Sequence, residues 1–144
     1  MATVTNKTQV QAYLQFNGRT EEALAFYAKA LGAETVMMMR FSDNPEACGE
    51  GSPAPEKVMH ACFKVGETEV FATDGGCNSG AQSSGFQGFS LSLSLPDGAA
   101  AERAYQALSE GGKPEMPMTK TFFASHFGLV RDKFGVNWMI LVPN

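Results

Sequence analysis

Residues 12–31, AYLQFNGRTEEALAFYAKAL, and residues 89–108, FSLSLSLPDGAAAERAYQAL, share one plan: an alternating strand, a short polar break and an amphipathic helix. Leu14 and Phe16 correspond to Leu91 and Leu93, and Thr20, at the predicted helix start, corresponds to Asp97. The helical stripe Leu24, Tyr27, Ala28, Leu31 corresponds to Ala101, Ala104, Tyr105, Leu108, and every pair has the same spacing. Self-similarity at a fixed offset marks a repeated supersecondary unit. The chain is therefore expected to be an α+β fold built from two copies of one module.

Working outward from the first copy, Thr20 is expected to accept the free N–H groups of the first helical turn, with Glu21 and Glu22 at the positive end of the helix dipole and Gly32 as a left-handed stop. Residues 34–42, 57–65 and 68–74 alternate as strands, with a tight turn at Gly66-Glu67. That completes a β-α-β-β-β unit. The second copy reads as a strand over 89–95, a helix over about 98–110, a short Pro-broken segment at 113–118, and strands over 126–131 and 136–142 joined by a hairpin at Asp132-Lys133-Phe134-Gly135. One domain spanning 1–144 is expected, with module one at 8–75, a Gly/Ser-rich linker at 76–88 and module two at 89–144. Residues 43–56, rich in proline and glycine, read as a lid, a dimer-edge loop or a tolerated surface loop.

Composition narrows the partners. A formal net charge of −4 without any Lys/Arg cluster argues against nucleic acid and anionic membrane. No run reaches the roughly 20 apolar residues a membrane helix needs, and the first seven residues lack the order of a signal peptide. A cytoplasmic location is expected. Cys48, Cys62 and Cys77 are odd in number and widely spaced, fitting reduced thiols better than a disulfide framework or zinc knuckle.

The module order resembles that of the vicinal oxygen chelate superfamily, the group of glyoxalase I, extradiol dioxygenases and bleomycin-resistance proteins. The resemblance is carried by Tyr13-Leu14-Gln15-Phe16, Ala25-Phe26-Tyr27, Leu31-Gly32-Ala33-Glu34, His60-Ala61, Asp74, Ser84-Gly85-Phe86 and the block from Phe127 to Ile140. Within the superfamily these residues are similar to the PhnB-like branch, the 3-demethylubiquinone 3-methyltransferase-like domains. The resemblance implies two curled sheets enclosing a cavity. It also implies that metal-using relatives place two His and two Glu on the first and last strands of each unit. Here those strands offer Gln11, Tyr13 and Gln15, then Val70, Phe71, Ala72 and Thr73, then Ser90, Ser92 and Ser94, with Met139 where a glutamate is expected. The usual metal site is therefore expected to be absent.

Candidate site residues follow from alternation. If Leu14, Phe16, Leu91, Leu93 and Leu95 face the helices, Tyr13, Gln15, Ser90, Ser92 and Ser94 face the other way, as a solvated surface or a polar cavity wall. Only two histidines exist, His60 and His126, and they are read as occupying related places in the two modules. Each is a structural residue, a general base or a hydrogen-bond anchor for a ligand, with Asp74 as an orienting partner or simply a turn residue. Phe122, Phe123, Phe127, Trp138 and Met139 are either pocket lining or ordinary core. Met37-Met38-Met39 reads as strand packing or an edge surface rather than a copper motif, because no His or Cys accompanies it at ligand spacing. The Gly-rich stretch from Gly75 lacks the Lys-Ser/Thr and helix of a phosphate loop.

The expectation is a small-molecule binding protein without the usual metal and without a required cofactor. The alternative is an enzyme of lyase, isomerase or transferase type, using His60 and His126 for acid–base chemistry or holding a divalent metal at a non-standard site with Asp74 or the Cys62 thiolate. The resemblance further implies a homodimer, with modules exchanged between chains as one arrangement.

Overall fold

The computed structural model describes residues 8–43, 54–75 and 85–144. The chain divides into two compact units, residues 1–83 and 84–144. In the first, the elements run β1 (Tyr13–Gln15), α1 (Thr20–Leu31), β2 (Glu34–Arg40), a 3-10 turn (Phe41–Asp43), β3 (Val58–Val65) and β4 (Thr68–Thr73). In the second they run β5 (Leu91–Ser94), α2 (Gly98–Ser109), β6 (Lys113–Thr119), β7 (Ala124–Arg131) and β8 (Asn137–Pro143). The sheet orders are β1-β4-β3-β2 and β5-β8-β7-β6, so the two units repeat one topology. In each, the first strand lies parallel to the last and the remaining pairs are antiparallel.

Each helix covers one face of its own sheet. In the first unit Leu14, Phe16, Leu24, Phe63 and Ala72 are buried around Tyr27, whose ring stacks on Phe63 at 5.5 Å and approaches Phe16 at 6.2 Å. In the second, Ala101, Ala104 and Leu108 of α2 are buried with Val130, Trp138 and Ile140 of the sheet. The repeat conserves position and exchanges size: Tyr27 is buried on α1 where its counterpart on α2 is Ala104, and the large buried ring of the second unit, Trp138, stands on a strand instead. Gly128 belongs to this economy, because a Cβ there would stand 2.5 Å from Met118 Sδ and 3.0 Å from the Tyr105 ring.

The helix ends correct one expectation and support another. Thr20 is not the cap of α1; it is its first residue, with its hydroxyl buried and without a hydrogen-bond partner among the described residues. The Thr20 N–H instead donates to Asp74 Oδ1 at 2.8 Å, from the end of β4. In α2, Asp97 does cap from outside the helix, accepting the Ala100 N–H at 2.8 Å. Gly32 ends α1 in the left-handed region, φ 70°, as its position predicts.

The Pro-broken segment at 113–118 is a strand, β6, at the sheet edge, where Pro114 and Pro117 cost few ladder bonds. Its register with β7 slips around Met116. The two predicted hairpins are present, at Gly66 (φ 57°) and at residues 132–135, where the Asp132 N–H donates to Val136 O. Most of the loop predicted at 43–56, the linker predicted at 76–88, and Cys48 and Cys77 lie outside the described residues.

Candidate functional site

Alternation along β3 and β4 sends Ala61, Phe63, Val70 and Ala72 toward α1, and therefore His60, Cys62, Phe71 and Thr73 to the opposite face. Parallel pairing adds Tyr13 beside Phe71 and Gln15 beside Thr73, and antiparallel pairing adds Met37 beside Cys62 and Met39 beside His60. Three rings converge there: His60 lies 5.2 Å from Phe71 and 5.7 Å from Tyr13, and Tyr13 meets Phe71 edge-on at 6.4 Å. Tyr13 remains 58% exposed, so this cluster has one wet end.

The polar members of this face differ in their freedom. Thr73 is committed to the backbone, its Oγ1 lying 2.8 Å from Met59 O and accepting the Gly75 N–H at 3.1 Å. Gln15 reaches across Gly75, where a Cβ would stand 3.5 Å from its Nε2. Cys62 is only 4% exposed, and burial pushes its thiol above the ordinary range, with the Glu69 carboxylate adding to the effect.

The second unit presents a different surface. Ser92, Ser94, Met139 and Leu141 face away from α2, because their neighbours Leu91, Leu93, Trp138 and Ile140 pair on the helix side. Phe127 and Leu129 join them across β7, and Phe123 extends the row at 5.3 Å from Phe127. Phe122 is 94% exposed, held on a turn that Asn144 pins by donating its side-chain amide to Phe122 O and its backbone N–H to Phe123 O. Ser90 is exposed and precedes the strand.

Several expectations need correction. His126 does not match His60: it points to the helix side of its sheet, against the first turn of α2, where a Cβ on Gly98 would meet its Cε1 at 2.5 Å. His60 points away from the helix of its own unit. No alignment that keeps helix on helix can superpose them, since opposite faces differ by one residue of alternation. Asp74 orients neither histidine; its two oxygens accept the Thr20 and Val58 N–H groups at 2.8 and 2.7 Å, tying α1 to β3. Trp138 is core, 4% exposed, and its indole N–H donates to the buried Asp132 at 2.9 Å. Asp132 also accepts the Phe134 and Val136 N–H groups, so the hairpin carboxylate is an anchor for fold and tryptophan alike.

Phe71 is the site residue that sequence reasoning left unassigned, although the burial of Val70 and Ala72 on either side places it by simple alternation. Among the described residues no three His, Cys, Asp or Glu side chains come together. A polar groove of about 430 Å³ lies elsewhere on the first unit, between Gln9–Gln11 and Lys64, Glu67, Thr68 and Glu69, and none of the predicted site residues lines it.

Comparison with known proteins gives these surfaces a context. The family model for 3-demethylubiquinone-9 3-methyltransferase matches residues 8–141. The Escherichia coli (strain K12) protein YjdN is 35% identical over 138 residues, covering 90% of the chain and 92% of that protein. The crystal structure of PA1353 from Pseudomonas aeruginosa is 37% identical and superposes with a TM-score of 0.82 over 95% of the chain and 98% of its own. A glyoxylase/bleomycin resistance protein/dioxygenase domain from Frankia sp. EAN1pec shares the fold at 12% identity, with a TM-score of 0.63 over 99% of the chain and 100% of its own.

Proposed function

The chain belongs to the 3-demethylubiquinone-9 3-methyltransferase family, a PhnB-like branch of the glyoxalase/bleomycin-resistance superfamily, and from that premise we propose that it is a small-molecule binding protein of the cytoplasm. The ligand lies against the helix-free face of the first unit. The observation that carries this reading is the ring cluster of Tyr13, His60 and Phe71, which offers aromatic surface with polar groups at its margin. Binding sites commonly combine apolar walls with a few orienting polar groups. Gln15 and the His60 imidazole are those groups here.

The proposal does without the two-His two-Glu metal site of metal-using relatives. In its support, the helix-free positions of the first and last strands carry Tyr13, Gln15, Phe71 and Thr73 in one unit and Ser92, Ser94, Met139 and Leu141 in the other. The methyl transfer in the family's name has no cofactor-binding turn among the described residues to support it. Nucleotide-type cofactors use a Gly-rich strand-to-helix turn in a doubly wound parallel sheet, whereas each sheet here has four mixed strands. The second reading, an enzyme of lyase, isomerase or transferase type, draws on the placing of His60 against the Tyr13 and Phe71 rings, since an imidazole can act as a general base.

A thermal-shift screen of planar aromatic compounds tests the proposal. Compounds that raise the wild-type melting temperature are expected to lose that effect in Tyr13→Ala/Phe71→Ala. Equal stabilisation of the double variant sinks the site, and chemical conversion of the bound compound, followed by mass spectrometry, decides for the enzyme.

A further inference from the structure

The three consecutive methionines of β2 have no His or Cys near them in the chain, but the sheet supplies both. In the β2–β3 register Met37 stands opposite Cys62, and Met39 stands opposite His60. Directly paired residues share a face, and so do residues two apart on one strand. Two thioethers, a thiol and an imidazole therefore occupy the corners of one rectangle on the helix-free face, about 5 Å across the strands and about 7 Å along them. Met38, opposite Ala61, belongs to the other face.

We propose that Met37, Met39, His60 and Cys62 form a binding site for a soft monovalent cation of the copper(I) or silver(I) class. Thioether and thiolate sulfur select such ions, whereas hard divalent cations favour carboxylate and water oxygen. Long, unbranched methionine arms let both sulfurs swing to one centre above the sheet. Cys62 is buried and the imidazole is steadied by the Phe71 and Tyr13 rings, so two of the four donors are held before an ion arrives. Met39, 37% exposed, is the donor open to solvent and marks the side of access. On binding, the Cys62 S–H bond breaks, its proton passes to solvent and a sulfur–metal bond forms, with no change in oxidation state. The inference rests on the helix-free face being the working surface, but not on any organic ligand occupying it.

The test uses the full chain carrying Cys48→Ser and Cys77→Ser, so that Cys62 is its one thiol. Copper(I) is titrated anaerobically against a coloured copper(I) chelator. One equivalent is expected to bind, and Met37→Leu/Met39→Leu, which conserves volume, is expected to weaken binding roughly tenfold or more while leaving the circular dichroism spectrum in place. The single variants Met37→Leu and Met39→Leu carry the same comparison should the double variant not fold. Absence of copper(I) binding overturns the site, as does unchanged affinity in the leucine variants, because the thiol alone would then account for it. Neither result touches the aromatic-compound screen, which the organic-ligand reading passes or fails separately.

Discussion

At the scale of single residues, the two histidines show how one step of alternation separates a site residue from a packing residue. His60 faces Phe71 and Tyr13, while the His126 ring fills the space a side chain on Gly98 would need. Alanine at 98 should therefore destabilise by about 1–3 kcal/mol through overpacking, although alanine normally favours a helix over glycine. In a His126→Ala background the same substitution should become neutral or stabilising. A double-mutant cycle in urea checks this, and a cost for Gly98→Ala that persists without the imidazole would show that another contact is responsible.

At the scale of elements, α1 is held by a residue 54 positions away. Asp74 joins the helix start to β3, and its own N–H closes the link by donating to Val58 O at 2.9 Å. Removing it leaves the Thr20 and Val58 N–H groups unpaired where they are partly buried. Asp74→Ala should cost roughly 2–3 kcal/mol, and Asp74→Asn, which keeps one acceptor, should cost less. Denaturant unfolding monitored by circular dichroism measures both, and equal costs would show that the acceptor that asparagine keeps contributes nothing. The edges of the sheets also differ. β6 is blunted by Pro114 and Pro117, and β1 and β5 are short, but β2 runs seven residues without proline and exposes Val36 and Met39. Such an edge is a surface that another strand can pair with.

At the scale of the whole molecule, that edge supports the proposal that the protein is a homodimer, and sedimentation equilibrium at micromolar concentration is expected to give twice the 15.4 kDa chain mass. A single 15.4 kDa species would refute it. No helix among the described residues is long and apolar enough to cross a membrane. The duplicated β-α-β-β-β order, both helices, both hairpins and the Gly32 stop were all legible in the chain, because each depends on periodicity or on neighbours a few residues apart. The helix-free face of each unit was partly legible, since alternation alone assigns Tyr13 and Gln15 to that of the first and Ser92 and Met139 to that of the second. Which strands lie side by side, and in what register, is set by long-range packing that no local spacing encodes. Only the tertiary structure put His126 behind a helix, gave Asp74 to the backbone and sent Trp138 into the core. It also set Met37 and Met39 against Cys62 and His60, some twenty residues on in the sequence and adjacent in the sheet.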